Sequence, residues 1–247
     1  MAEQKTAAVV RIEDLSPDTR LLTLSLTQGD HLGFIGGQYI IVDSGLPLPG
    51  GKIAKRAYSI LSSDREQNQF QIAVRRIGAG LGSNYLHGVK SEMEIRFSGP
   101  WGKLFQTEKQ ISGKTWIIAT DTGITAALGL VQSEEFRSRN AATRLTWWIP
   151  SLDYFLPEGW VEKTLGYLGV PFDSESIEPV EKVQDRIATS VRRINERLDT
   201  EMPAAVYLIG DGNVLYAAKE AFLMKGIPPA EVQIESFFNN PLRKATS

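Results

Sequence analysis

The sequence contains no cysteine and only two histidines. Without cysteine the chain can form no disulfide, no thiolate zinc site and no cysteine-ligated iron–sulfur cluster. The two histidines, His31 and His87, lie far apart in the sequence and lack a metal-ligand spacing, so we interpret both as surface or turn residues. Any redox chemistry of this chain must therefore come from an organic cofactor.

A strong charge of either sign and long hydrophobic runs are also missing. The 27 basic and 29 acidic residues give a net charge of −2, which offers no electrostatic reason to expect nucleic acid or an anionic membrane as a partner. No run approaches the roughly 20 apolar residues that a membrane-spanning helix requires. The first residues also contain no apolar core of signal-peptide length. We therefore expect a cytoplasmic protein that binds neither nucleic acid nor a membrane.

Hydrophobic and polar residues alternate in several short stretches of the first hundred residues. Clear examples are residues 22–26, 70–74 and 93–97. This period of two is typical of strands that bury one face and expose the other. Turn sequences rich in glycine and proline separate the stretches, as at 36–37 and 47–51. The pattern predicts an antiparallel β-sandwich or β-barrel.

The character of the sequence changes near residues 102–113. Beyond this point, short apolar runs typical of strands covered on both faces alternate with helical patterns, which predicts a parallel sheet with right-handed crossovers. The whole chain is thus predicted to be a barrel followed by an open α/β sheet. The predicted strands are 116–119, 145–149, 170–172, 205–209 and 232–237, and the predicted helices are 124–132, 160–168, 180–198 and 214–224.

The first motif that suggests chemistry is Arg56-Ala57-Tyr58-Ser59 on a predicted strand. Arg56 and Tyr58 share one side of that strand, and such a set suits a flavin nucleotide. The guanidinium would bind the pyrophosphate, the aromatic plane would lie against the ring system, and the hydroxyl would bind a ring nitrogen. Taken alone, the motif is also compatible with a packing tyrosine and a solvated arginine.

Glycine-rich segments suggest places where a phosphate could approach the backbone. The segment 78–86 runs into a short predicted helix, where Ser83 is either part of an anion site or a plain N-cap. In the second half, Asp121-Thr122-Gly123 and Gly210-Asp211-Gly212 each follow a buried strand, the usual place for ligands of open α/β sheets. The usual G-x-G-x-x-G fingerprint is missing after the first of these strands.

Taken in order, these motifs resemble those of the ferredoxin–NADP reductase superfamily over nearly the whole sequence. The likeness is greatest to the cluster-free bacterial reductases and to the reductase modules of oxygenase systems. The motif at 56–59 is the most specific element, and the others gain weight because they are collinear with it. These other elements are 34–39, 82–86, 98–102, 120–124, 206–210 and 235–238.

The resemblance implies an FAD-binding antiparallel β-barrel over residues 1–107 and an α/β parallel-sheet domain that binds NADH or NADPH over residues 108–247. It implies two catalytic residues, Ser59 beside the flavin and Glu235 near the flavin ring. The cofactor-binding residues that it implies are Arg56, Ala57, Tyr58, Ser59, Ala73, Val74, Gly82, Ser83, Thr122, Gly123, Gly210, Asp211 and Phe237.

The reaction implied by the resemblance is hydride transfer from the nicotinamide C4 to the flavin N5, followed by single-electron transfer to an acceptor protein. The expected acceptor is a ferredoxin, a flavodoxin or an oxygenase component. Two alternatives stay open. One is an FAD-binding electron-transfer subunit with little or no direct NAD(P)H turnover, and the other is a flavin-binding regulatory protein without turnover.

Three departures from the family pattern bear on this reaction. The turn that is usually Cys-Gly-Pro reads Ile209-Gly210-Asp211, so the thiol beside the nicotinamide is absent. Asp121 replaces the first glycine of the usual Gly-Thr-Gly turn, where a carboxylate either repels a pyrophosphate or is held by a nearby cation. The chain also continues past Phe237 and Phe238, so that either ring covers the flavin or both simply pack.

The sequence also predicts a preference for NADH over NADPH. In this superfamily the extra phosphate of NADPH lies near the loop after the third strand of the second domain. The predicted loop 173–178 contains three carboxylates and no cation, and a carboxylate repels a phosphate. Arg186, Arg192 and Arg193 on the following helix are the counter-argument, although solvated charges on an amphipathic helix are the simpler interpretation of all three.

Overall fold

The fold is seen in a computed structural model, which describes residues 3–105, 110–140, 142–151 and 154–241. The predicted boundary between residues 107 and 108 lies outside the described residues. In the N-terminal part, six antiparallel strands form one sheet in the order β4-β3-β6-β1-β2-β5, with one helix, α1. Their bounds are β1 (Gln4–Ser16), β2 (Thr19–Leu26), β3 (Tyr39–Pro47), β4 (Ile53–Ser59), β5 (Gln69–Arg75), α1 (Leu81–Gly88) and β6 (Glu94–Trp101).

The alternation in the sequence produces the core of this sheet. Apolar side chains at every second position of β2 and β5 are buried, as at Leu22, Leu24, Phe70 and Ile72. The ring of Phe70 also contacts that of Phe97 on β6 edge to face, at 5.6 Å between centroids. The predicted strands 22–26 and 70–74 are therefore confirmed as parts of β2 and β5, and 93–97 is confirmed as part of β6 except for Met93, which precedes the strand.

The predicted barrel needs one refinement at its seam. The outer strands β4 and β5 stand at the two ends of the strand order, and no strand ladder joins them within the described residues. They meet just beyond β4, where the Leu61 N–H donates to the Gln71 carbonyl oxygen at 3.0 Å. The domain is an antiparallel sheet that curls into a barrel shape without a continuous closing ladder.

The C-terminal part is a five-stranded parallel sheet in the order β11-β10-β7-β8-β9, covered by helices. This arrangement confirms the predicted α/β domain. The bounds are β7 (Lys114–Thr120), α2 (Ile124–Gln132), α3 (Glu134–Arg139), β8 (Ala142–Ile149), α4 (Glu158–Gly166), β9 (Phe172–Ser176), α5 (Val183–Leu198), β10 (Ala205–Asp211), α6 (Gly212–Met224) and β11 (Val232–Phe238).

The third strand of this sheet was placed wrongly by the sequence. The strand predicted at 170–172 lies at 172–176, so most of the predicted loop 173–178 is strand β9. Its carboxylates are paired with cations of neighbouring elements, since Asp173 binds Arg144 at 2.8 Å and Arg197 at 2.7 Å. Glu175 binds Arg193 at 3.1 Å and also pairs with Arg197. These ion pairs allow an acidic segment to act as an edge strand.

The two sheets share one apolar core around helix α2. Leu21, Leu61 and Ala73 of the N-terminal domain are buried in the same cluster as Ile124 and Leu128 of α2. Glycines let the backbones touch there: a Cβ at Gly36 would overlap the Gly129 carbonyl oxygen, and one at Gly129 would overlap the Ile60 carbonyl oxygen. Within the described residues, no helix is both long and apolar enough to cross a membrane.

Candidate functional site

A cavity of about 540 Å³ lies between the two sheets. This volume falls within the roughly 300–1,000 Å³ of pockets that bury a small-molecule ligand. Both domains contribute to its walls, which fits the tendency of such sites to form at domain interfaces. Its lining residues are Tyr39, Arg56, Ala57, Tyr58, Ser59, Ala73, Arg75, Ile77, Gly80, Gly82, Ser83, Thr122, Thr125, Phe155, Glu235, Ser236, Phe237 and Phe238.

Strand β4 supplies the wall on the side of the first domain. All four residues of the Arg56–Ser59 motif line the cavity; Arg56 is exposed, Tyr58 is half-buried and Ser59 is buried. Burial raises the pKa of Tyr58 to about 12 against the opposing effect of the Arg56 charge, so the phenol stays neutral. The motif thus presents a cation, a neutral aromatic face and a hydroxyl to one space.

Helix α1 begins at this wall. The helix starts at Leu81 after Gly80, which provides no side-chain cap, and Gly80, Gly82 and Ser83 all line the cavity. The Ser83 hydroxyl donates to the Gly80 carbonyl oxygen at 3.1 Å and accepts from the Ile77 N–H at 3.2 Å. Ser83 is therefore not the N-cap, because it lies in the first turn and braces the loop. The uncapped helix start leaves backbone N–H groups for an anion.

The parallel sheet supplies the opposite wall. Thr122 follows β7, and residues Glu235 to Phe238 end β11. The pairing of β11 with β10 shifts register between Gly210 and Asp211, whose partners are Ser236 and Phe238. This irregularity interrupts the strict alternation of the strand, and both Phe237 and Phe238 line the cavity.

Four of the predicted site residues do not line the cavity. Val74 is fully buried in the core of the first sheet. Gly123 and Gly210 lie where the two strand–helix turns touch. A Cβ on Gly123 would overlap the Ile209 carbonyl oxygen, and a Cβ on Gly210 would overlap the Thr120 carbonyl oxygen. Asp211, in the second of these turns, is only 1% exposed. The other predicted site residues line the cavity.

The carboxylates of Asp121 and Asp211 are held by one cation, Arg186 of α5. Its Nε donates to Asp211 Oδ2 at 3.1 Å and its Nη2 donates to Asp121 Oδ2, with all three side chains at most 1% exposed. The sequence left open whether Asp121 repels a pyrophosphate or is held by a nearby cation, and in the structure it is held by a cation. Burial raises the pKa of Asp121 to about 6, and the charge of Arg186 only partly opposes this. The interpretation of Arg186 as a solvated charge was wrong.

Several lining residues were missed by the sequence analysis. Phe155 is 2% exposed and has a φ of 72°, which is unusual for a bulky residue. No local sequence pattern predicts this conformation. Arg75 ends β5 and lies over the ring of Tyr154 at 4.0 Å, so it ties the first domain to the segment after β8. Its position in the alternation of β5, two residues after Ala73, was the available signal.

Comparison with known proteins shows what the two domains are similar to. The oxidoreductase FAD-binding domain family matches residues 6–105, which run from the third residue of β1 to beyond the end of β6. The chain is 36% identical over 132 residues to ferredoxin–NADP reductase B of Sorangium cellulosum (strain So ce56), covering 53% of this chain and 52% of that protein. Residues 6–105 therefore match an FAD-binding oxidoreductase domain, and the chain is similar to ferredoxin–NADP reductase-like flavoproteins.

Two other proteins show a likeness over more of the chain. It is 27% identical over 219 residues to a flavohemoprotein of Schizosaccharomyces pombe, covering 81% of this chain and 49% of that protein. The flavohem-like FAD/NAD binding domain of nitric oxide dioxygenase from Vibrio cholerae O1 biovar El Tor has the same fold, with a TM-score of 0.73, 18% identity and coverage of 94% and 98%. The chain spans about half the length of the curated relatives it matches first.

The lining of the cavity fits an FAD, the cofactor named by the matching domain family. An uncapped helix start and an exposed guanidinium lie at one side, where a pyrophosphate requires donors and positive charge. Half-buried aromatic residues, Tyr58, Phe237 and Phe238, provide flat apolar surface for a ring system. A Cβ on Gly82 would lie 2.7 Å from Arg56 Cγ, so glycine there lets the arginine stem pass over α1.

Proposed function

We propose that this chain takes electrons from NADH or NADPH onto FAD and passes them singly to an acceptor protein, namely a ferredoxin, a flavodoxin or an oxygenase component. The observation that carries the proposal is the shared cavity, in which the Arg56–Ser59 motif faces Thr122 and Glu235 from the other domain. Bound FAD supplies the chemistry, because a flavin accepts a hydride and releases electrons one at a time.

The residues of the cavity have separate tasks in this proposal. Arg56 and the start of α1 bind the pyrophosphate of FAD, and Tyr58 packs against its ring system. The buried Ser59 hydroxyl donates a hydrogen bond to the flavin from a position fixed by β4. Thr122 and the phenylalanines at the end of β11 bound the space that the nicotinamide ring enters, so that the two rings are held at reacting distance and water is excluded.

The experiment that tests this function is anaerobic mixing of the FAD-loaded protein with NADH or NADPH in a stopped-flow instrument. Acid release of the bound cofactor should yield FAD rather than FMN, and the yellow colour should bleach rapidly with one of the nucleotides. Ferricyanide, a one-electron acceptor, should then restore the colour. A protein that retains only FMN, or no flavin after reconstitution, would contradict the proposal at its first step.

A second candidate function is an FAD-binding electron-transfer subunit that hardly uses free nicotinamide nucleotides. It is favoured by Ile209, which stands where the family usually has a cysteine beside the nicotinamide. In the same stopped-flow experiment, slow or absent bleaching of a fully FAD-loaded protein by both nucleotides would select this function over the first.

A further inference from the structure

The two acidic departures from the family pattern meet at one buried arginine. Asp121 follows β7 and Asp211 ends β10, and these neighbouring strands are parallel, so their carboxyl ends lie side by side. Arg186 donates to both carboxylates and, through Nη1, to the Glu178 carbonyl oxygen. A buried charge is tolerated only when it is paired and hydrogen-bonded, so the three charged side chains depend on one another.

Each carboxylate is tied to backbone next to the cavity, although the turn at 210–212 does not itself line it. Asp121 adopts a φ of 53° and directly precedes Thr122, which lines the cavity. Asp211 accepts from the Asn213 N–H at 3.1 Å, at the start of α6, and from Asn239 Nδ2 at 3.2 Å, just after β11. The Asp211 N–H in turn donates to Thr120 Oγ1 at 2.8 Å. A shift of the guanidinium would therefore move both turns and the end of β11.

Helix α5 does not need this arginine in order to pack. Ile194 and Leu198, on the same face of the helix, are buried in the apolar cluster behind the sheet. Replacing a buried ionic cluster by apolar residues is often neutral or stabilising, so packing alone does not explain three buried charges. Their place does suggest a reason, because ligands of open α/β sheets bind beyond the carboxyl ends of the strands.

We propose that Arg186 is a positioning residue for the nicotinamide nucleotide, acting through Asp121 and Asp211 to hold the turns at 121–123 and 210–212 in the arrangement that the nucleotide requires. This inference rests on the proposed function, since it assumes that a nicotinamide nucleotide binds at these turns. It assigns Arg186 no direct contact with the flavin, so binding of FAD and binding of the nucleotide should respond differently to its loss.

The test is calorimetric titration of NAD⁺ and NADP⁺ into the oxidised, FAD-loaded protein, because neither nucleotide can reduce the flavin. Arg186→Met should raise the Kd of the preferred nucleotide at least tenfold while FAD content stays that of the wild type. Arg186→Lys, which keeps the charge but loses the planar fork, should give an intermediate Kd. The matched control is Arg192→Met on the same helix, since Arg192 is exposed and pairs with Glu196 at 2.8 Å. Its Kd should stay within twofold of the wild type.

Arg186→Met leaves two unpaired buried carboxylates, so a variant without charges in the cluster is also needed. In Asp121→Asn/Arg186→Met/Asp211→Asn the charges are gone together, and weakened nucleotide binding with full FAD content would again support the inference. A wild-type Kd in this triple variant would overturn it, as would failure of both variants to fold with FAD, which would make the cluster a stability device. If the wild type itself binds neither nucleotide, the proposed function fails together with this inference.

Discussion

The binding of FAD should depend strongly on Arg56. This side chain lines the cavity beside the start of α1. Among the residues that the structure describes, its one hydrogen bond is from Nη1 to the neighbouring Lys55 carbonyl oxygen, at 2.8 Å. Arg56→Ala would therefore remove little that stabilises the protein without its cofactor. A charge-assisted hydrogen bond contributes about 1.5–3 kcal/mol, which corresponds to roughly a 10- to 150-fold increase in the Kd of FAD.

The assay is fluorescence titration of FAD into the apoprotein, with thermal unfolding measured in the presence and absence of FAD. Lys55→Ala is the matched control, because Lys55 precedes Arg56 on β4, does not line the cavity and pairs with Asp43 at 3.3 Å. The Arg56 variant should lose most of the stabilisation that FAD gives, and the Lys55 variant should keep it. Equal Kd values for wild type and Arg56→Ala would refute the alignment of this motif with the family.

Three further predictions concern the reaction, pH and nucleotide choice. Ser59→Ala should keep FAD bound but slow flavin reduction by about 10²–10³-fold in stopped-flow measurements, as expected when one preorganised hydrogen bond is lost; an unchanged rate would exclude Ser59 from the reaction. The pKa of Asp121 is raised to about 6 in the folded protein, so its contribution to the free energy of unfolding should be largest near pH 4 and should fall as the pH rises through 6. Urea unfolding should show that Asp121→Asn removes this decline, and parallel pH curves for the two proteins would contradict it. NADH should have a higher kcat/KM than NADPH, because the arginines near β9 are already paired with Asp173 and Glu175; a higher kcat/KM for NADPH would reverse this choice without affecting the fold.

Periodicity in the sequence was enough to predict most of the secondary structure. The helix predicted at 124–132 coincides with α2, and the alternating segments became β2, β5 and β6. The errors fell where tertiary contacts override local pattern. Strand β9 contains Asp173 and Glu175, whose charges are paired with arginines of α5 and β8. The six-residue helix α3 was missed because it is too short for a clear period.

The candidate site could be predicted only where a motif lies within one element. The Arg56–Ser59 motif on β4 lines the cavity, whereas the partner of Asp121 is 65 positions away in the chain. The sequence did contain one signal for the buried position of Arg186, the partner of Asp121. Counting back from the buried Leu198 in steps of four gives Ile194, Ser190 and Arg186, all of them buried in α5. The spacing of the hydrophobic residues at 180–198 predicted a different buried face for this helix. That face includes Ile187, which is only half-buried in the structure.

The close glycine contact between the two domains determines whether either domain can exist alone. Where Gly36 meets Gly129 the main chains touch, and the core around α2 continues from one sheet into the other. Separating the two domains would expose a large apolar surface on each of them, so we expect each separated domain to aggregate. A hinge at this point would have to break that core, so we expect the two domains to move as one rigid body. If the proposed function holds, an electron acceptor should bind to a surface whose shape does not depend on domain movement.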